Sequence, residues 1–565
     1  MYLFIYTQHH SQFDLLTAFT LAKNKTLSDV GYMKTFDNQR PSVHAAKAMV
    51  ATSQPLASLV GIEVLKRGGN AVDAAIAIAA MVNVLEPMMS GIGGDVFAMV
   101  YWNRDASLLG LNASGIQPKK LGLQHYIPGH ATIPQAGFES LNIPGAFDGW
   151  VTLHEKYGSQ PFASLLEPAI HYAEEGFAVG EKISQVWEYG ASKLRLFPES
   201  AQEYLVGGKA PVPGQIFRAP TLAKTLSFLA KEGRDGFYRG PIAQKIVDFC
   251  PLLTMDDFKA QKSEWVQPIS AKYRGLEIYE IPPNGQGLVV LEALRLLEGF
   301  DLASMSTVEY EHHIIEALKL SFADGHRYIA DPKFFKTPWK TLLSDSYINA
   351  RRKEISPKAE PLVKAGRIDG DTTYFTIVDQ DRNAVSFIMS ISDVFGSGIV
   401  PKGTGIVMNN RGCEFSLDPQ HPNVVAPHKR PYHSIIPAMA FKEGQFFMTF
   451  GCMGGNMQPQ GQVQILSNIL DRNMRLQEAL SAPRVRVLGG NTIAIEETFS
   501  QETIDGLTRL GHERVIGEKV PLDWEAPHAF AQSFKGSAQA IMLEPKAGTL
   551  VGASDSRLDG IPIGY

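Results

Sequence analysis

Thr372 stands where a threonine can be turned into a nucleophile. It follows Asp371 and opens the run Thr372-Thr373-Tyr374-Phe375-Thr376-Ile377-Val378. A threonine hydroxyl attacks poorly until a base takes its proton, and cutting the Asp371–Thr372 bond would supply that base on the same residue, as the freed α-amine. With a reference pKa of about 7.7–8.0, such an amine is unprotonated often enough near neutral pH to act as a general base, a contribution of roughly 10²–10⁴ in rate. Acyl transfer also needs donors for the developing oxyanion. Gly454 and Gly455 offer adjacent backbone N–H groups with no side chain in the way, and loss of one such donor costs about 2.7–4 kcal/mol in other enzymes.

Other chemistries fail on the same inspection. No HExxH pair for zinc and no GxSxG elbow for a serine hydrolase occurs. Asp379-Gln380-Asp381-Arg382-Asn383 imitates the start of a calcium loop, but Ala384 holds the glycine position and Ser390 the terminal glutamate position. Ser90-Gly91-Ile92-Gly93-Gly94-Asp95 lacks a phosphate-binding frame, so close backbone packing is the expectation there. Cys250, Cys413 and Cys452 make no ligand spacing and read as free thiols in a reducing or indifferent compartment, Cys452 as a small buried filler. His312 and His313 read as face residues of a helix rather than ligands. No metal and no cofactor is expected.

The elements that must position Thr372 follow from pattern. Tyr374–Val378 and Ala384–Ser390 are β-branched and aromatic runs around a polar turn, a hairpin. Residues 338–367 are polar and mixed in charge, and read as an exposed tether ending at the threonine pair, either a cleavable junction or an ordinary loop. Folded sequence is expected from near Met49. A helix reads from Pro55 to Lys66; Asn70, with Asp73 three residues on, caps the next, Ala71–Val82. That helix is apolar nearly all round and belongs inside a multilayer protein. Strands read at Val96–Tyr101, Ser107–Leu111, Gly275–Ile281, Gly405–Asn410, Phe446–Phe450 and 548–555, and helices at Phe162–Pro168, Thr221–Glu232, Val308–Ile329 and from the Gly454 turn to Leu470.

The 565 residues, 44% hydrophobic and 20% charged, are ample for a large soluble core. A net charge of −5 without a dominant basic run disfavours nucleic acid and anionic membranes. The longest apolar stretch, Ala71–Leu85, is broken by Asp73 and Asn83 and falls short of the ~20 residues a span needs. The start of the chain has no basic region ahead of its short apolar run, so a cytoplasmic location is expected. Residues 1–40 read as a loosely ordered extension.

Taken in order, Gly91-Ile92-Gly93-Gly94, Ile143-Pro144-Gly145, Thr372 to Asp379, Phe395 to Val400, Lys429-Arg430-Pro431, Gly454-Gly455 and Gly552-Ala553-Ser554-Asp555 resemble the γ-glutamyltranspeptidase family of self-cleaving N-terminal-nucleophile hydrolases. The resemblance runs from about Met49 to the end. It implies an α+β fold, a four-layer αββα sandwich. It implies self-cleavage between Asp371 and Thr372, giving a large part (41–371) and a small part (372–565) that share one core. By resemblance Thr372 is the nucleophile, Gly454 and Gly455 bind the oxyanion, and Ser390 replaces a threonine that orients the nucleophile. Substrate residues fall on Ser392, Arg411 and Glu414, where Asn, Gln and Asp are usual, and on His433-Ser434, where two serines are usual. Ser114 replaces an arginine that holds the glutamyl α-carboxylate. The implied substrate is a γ-glutamyl, glutathione-like amide, its acyl-enzyme resolved by water or an amine. The relocated cation at Arg411 leaves open an acyl group that carries a carboxylate without the glutamyl amine, as in the glutaryl-cephalosporin-acylase-like and oxamate-amidohydrolase-like branch. A catalytically silent binding protein on the same fold is the remaining alternative. The expected partners are a small-molecule amide and the chain's own cleaved fragment, with a homo-oligomer left open.

Overall fold

The computed structural model describes residues 40–361, 371–516 and 535–565. The expected extension over 1–40 lies, apart from Arg40, outside the described residues.

The hairpin around Thr372 forms the centre of a seven-stranded sheet. Strand Asp371–Val378 pairs antiparallel with Ala384–Ser392 on one side and Met49–Ala51 on the other. Strands Asp95–Trp102, Ser107–Ala113 and Glu264–Val266 extend the sheet one way, and Pro562–Gly564 closes it the other. A second antiparallel sheet of seven strands carries Gln445–Met453 at its middle, between Ala438–Lys442 and Ser537–Glu544. The two sheets face each other through buried side chains. Thr376 Oγ1 donates to Thr449 Oγ1 across the gap at 2.8 Å, and the Ala438 N–H reaches Ser386 Oγ at 3.1 Å. Gly451 is glycine because a Cβ there would run into the Tyr374 ring.

Helices cover both outer faces, which completes the four-layer αββα sandwich. Ala71–Leu85 lies on the Thr372 hairpin with all fifteen residues buried, as its nearly all-apolar surface requires. Asn70 accepts from the Val72 and Asp73 N–H groups and Asp73 returns a bond to the Asn70 N–H, a complete capping box. Gly287–Leu297 and Met457–Leu470 cover the second sheet. Both sheets combine strands from before Thr372 with strands from after it. Among the described residues no helix is long and apolar enough to cross a membrane.

Several local readings change. The stretch read as an exposed tether contains two short helices, Trp339–Leu342 and Asp345–Arg352. They dock through buried Leu342 and Ile348 and through Arg351 and Tyr347, both of which bond Asp324. A few apolar residues and aimed arginines suffice to anchor a polar segment, and periodicity does not reveal that. Residues 353–361 are turn and coil, and 362–370 lie outside the described residues. Gly405–Asn410 makes no strand. Pro168 does not end its helix, which runs from Phe162 to Glu175. Order begins before Met49, with a strand at Val43–Ala45 that pairs with residues 550–552.

Candidate active site

Thr372 lies at an irregularity in the central hairpin. Asp371 pairs with Ser392 and Thr373 with Met389, so Ser390 and Ile391 together oppose the single residue Thr372. Such a bulge bends the strand and re-aims side chains. Thr372 is fully buried, and its Oγ1 accepts a hydrogen bond from Gln458 Nε2 at 3.1 Å. Gln458 is itself fixed, its Oε1 taking the Ile436 N–H at 3.0 Å. Thr373 faces the other way, as alternate strand residues do; its hydroxyl donates to Glu86 at 2.6 Å. Burial raises the Glu86 carboxyl above the usual carboxylate range, the hydrogen bonds from Thr373 and Gln54 opposing.

Gly454 and Gly455 form the turn between strand Gln445–Met453 and helix Met457–Leu470, at φ of 108° and 56°. Both values favour glycine. Their carbonyls accept the Met457 and Gln458 N–H groups, so the turn that carries the two glycines also aims Gln458 at Thr372. Gln286 ties this turn to the neighbouring loop: its Nε2 donates to Gly455 O at 3.1 Å and to Ser434 O at 2.5 Å, while its Oε1 accepts from Tyr432.

Beside Thr372 lies a buried charge cluster. Arg411 is fully enclosed; its Nη2 donates to Ser390 Oγ and its Nη1 to Ser434 Oγ, each at 2.9 Å. Glu414 Oε1 is 3.5 Å from Nη1, and Asp95 Oδ2 is 3.6 Å from Nε. Asp95 is held independently, by the Gly115 N–H at 2.6 Å and by His433 Nε2 at 3.0 Å. Burial and the nearby Arg411 push His433 down to about 4, so the ring is neutral and donates one N–H to Asp95. Ser390 Oγ also accepts the Ser392 N–H at 2.9 Å. With these two bonds accepted, its own proton is turned to a further acceptor. Ser392 adopts φ 81°, a strained value for a non-glycine residue, and its buried hydroxyl meets no partner among the described residues.

The structure therefore brings Ser390, Arg411, Glu414, His433 and Ser434 into one cluster and sets Thr372 beside it through the Ser390 bulge. Ser114 is one step removed: Asn284 Nδ2 donates to its Oγ at 3.2 Å and the Asn284 carbonyl takes the His433 N–H. Glu414 and Tyr432 also line a cleft of about 880 Å³, with Ile133, His326, Asp418 and His421 on its other walls. Sequence reasoning missed Asp95, Gln458 and Gln286. Asp95 closes the glycine-rich loop, whose tight packing has a reason: a Cβ on Gly94 would strike the Ser390 carbonyl. Gln458 lies three residues past Gly455, and that offset from a turn into a helix was a usable signal. Cys452 is a buried filler whose thiol burial pushes up to about 11.

The family model described as Gamma-glutamyltranspeptidase matches residues 57–565. The chain is 37% identical to the glutathione hydrolase-like YwrD proenzyme of Bacillus subtilis over 93% of its length and 99% of that protein. It is 34% identical to the oxamate amidohydrolase proenzyme of Klebsiella pneumoniae, over 92% and 98% of the two chains. A cephalosporin acylase from Bacillus halodurans, a solved structure, superposes with a TM-score of 0.87 at 39% identity over 94% of this chain and 98% of that one. The chain belongs to the gamma-glutamyltranspeptidase family of N-terminal-nucleophile hydrolases.

Proposed function

We propose that the protein is a self-processing amidohydrolase that acts through Thr372 on amides whose acyl group ends in a carboxylate and lacks the glutamyl amine. Processing starts when Thr372 Oγ1 attacks the Asp371 carbonyl carbon. The Asp371–Thr372 C–N bond breaks, the nitrogen takes up a proton, and an ester links the two residues. Water then cleaves the ester, leaving the Asp371 carboxylate and a free Thr372 α-amine. In turnover that amine takes the Oγ1 proton while Oγ1 attacks the substrate carbonyl, and the Gly454 and Gly455 N–H groups receive the oxyanion. The proton passes to the departing amine, and water releases the acid from the acyl-enzyme.

One observation carries the choice of acyl group. A guanidinium has five N–H donors, and buried Arg411 makes two hydrogen bonds of 2.9 Å to hydroxyls and a longer one of 3.5 Å to Glu414, while its Nε meets no hydrogen-bond partner among the described residues. Buried cations are ordinarily paired and fully bonded, so this one has capacity for an incoming carboxylate, and the fork geometry suits that group. Ser434, whose oxygen accepts from Arg411, has a proton to donate to the same ligand. Thr372 and Arg411 are both covered in the uncut chain, so access to them waits on the cut. Glu414 on the cleft wall supports a second reading, in which its carboxylate holds the ammonium of a γ-glutamyl donor. Paired glutaryl and γ-glutamyl anilides test the choice. A higher kcat/KM for the glutaryl compound is expected, and clear preference for the γ-glutamyl compound overturns it.

A further inference from the structure

We infer that His312, Glu316 and His512 form a binding site for one transition-metal ion of the zinc type. Among the described residues the site shares no residue and no hydrogen bond with the threonine site. His312 and Glu316 lie four residues apart on helix Thr307–Tyr328 and so project from one face. His512 follows helix Gln501–Arg509 and precedes strand Glu513–Ile516, so the third group comes from a distant part of the chain. All three are buried, and one ligand atom from each lies within 4.8 Å of the others.

The hydrogen bonds fix how the rings are protonated. His312 Nε2 is 2.7 Å from the Ser356 carbonyl, which only accepts, so Nε2 carries the proton and Nδ1 presents a lone pair. An imidazole whose outer N–H is held by a backbone carbonyl while the other nitrogen faces inward is the usual state of a metal-bound histidine. His512 Nε2 then donates to His312 Nδ1 at 2.9 Å, and His512 Nδ1 is buried with no partner among the described residues. Moving the His512 ring proton from Nε2 to Nδ1 turns a second lone pair inward, and the ring stays neutral throughout.

Two imidazoles and a carboxylate are a donor set that suits zinc and neighbouring ions rather than magnesium or calcium. At metal–ligand distances near 2.1 Å, tetrahedral neighbours are separated by about 3.4 Å. The two rings would therefore part by only about half an ångström. Lys319 opposes the ion: its ammonium holds Glu316 Oε1 at 2.7 Å. It also has Asn491 Oδ1 at 2.9 Å and the Glu360 carbonyl at 3.1 Å, so it keeps partners when the ion draws on Glu316. The bound ion would link helix Thr307–Tyr328 to the turn before strand Glu513–Ile516. Through the His312–Ser356 bond it would also hold the stretch after Ile355, where the Ala359 N–H already bonds the Leu510 carbonyl.

The test uses the full-length protein, purified without chelator or histidine tag and titrated with Zn²⁺ and, separately, Co²⁺. One zinc per chain is expected after gel filtration, with a cobalt spectrum typical of a low-coordinate nitrogen and oxygen set. His512→Gln is expected to weaken binding by at least roughly 100-fold, the upper end of what second-shell changes cost elsewhere. Lys319→Met, which removes the competing ammonium, is expected to bind zinc more tightly than wild type. Wild type that retains no zinc and gives no such spectrum overturns the assignment, and so does a His512→Gln variant that binds as tightly as wild type. Weaker binding by a folded Lys319→Met variant removes Glu316 from the ligand set. If a variant fails to fold, the cobalt spectrum of the wild type decides.

Discussion

Replacing Arg411 by glutamine tests the proposed specificity at its source. The guanidinium lies between Ser390 and Ser434, 2.9 Å from each hydroxyl oxygen, with donors to spare. A charge-assisted bond to a substrate carboxylate is worth about 1.5–3 kcal/mol, so losing one should lower kcat/KM for a glutaryl anilide by roughly 10- to 150-fold. The same change removes a cation that would repel a substrate ammonium, so the γ-glutamyl anilide should lose less or gain. The ratio of the two is the measurement, because both substrates use the same nucleophile and any general damage through Ser390 cancels. Arg411→Lys keeps the charge without the fork and should fall between. Stability should also drop. Breaking a buried pair costs about 3–5 kcal/mol, but Asp95 keeps the Gly115 N–H and His433, so the lower end is expected from urea denaturation. A glutaryl to γ-glutamyl ratio that stays within about twofold of wild type, or rises, refutes the role given to Arg411.

Two further predictions follow from the geometry. Gln458→Met removes the donor to Thr372 Oγ1; a neutral hydrogen bond nets about 0.5–1.5 kcal/mol, so both self-cleavage and turnover should slow by roughly 2- to 13-fold, followed by gel time course and anilide release, and unchanged rates would remove Gln458 from the machinery. Burial, with Arg411 and Arg430 nearby, holds His433 down to about 4 against the opposing Asp95 carboxylate. A histidine depressed below its unfolded value of about 6.5 contributes stability that is complete above that pH and is lost as pH falls toward 4. Over that window His433 should account for up to about 3 kcal/mol, seen as a shallower acid destabilisation in His433→Gln than in wild type; equal slopes contradict it.

What the sequence revealed was local. The Thr372 hairpin, the Asn70 capping box and the apolar helix behind the hairpin are specified by neighbouring residues, and each lies within a residue or a few of its expected place. The candidate catalytic residues were named through the family resemblance, and the bulge that sets Ser390 and Ile391 opposite Thr372 was invisible to pattern. The partners of Arg411 come from positions 95, 390, 414 and 434, joined only by the two-sheet topology, and no spacing rule connects them. His312 shows the same limit. It does lie on a helix face, as its period requires, but that face is buried against His512, two hundred residues later.

The central claim is that Thr372 becomes the N-terminal residue of a working enzyme. Intact-mass measurement of purified wild type and Thr372→Ala, with an amide-hydrolysis assay on the same samples, tests it most directly. The account predicts two fragments in wild type, the smaller beginning at Thr372 and ending at Tyr565, and a single inactive chain in the variant. An uncut wild-type chain that hydrolyses amides, or a cut at any other bond, contradicts it.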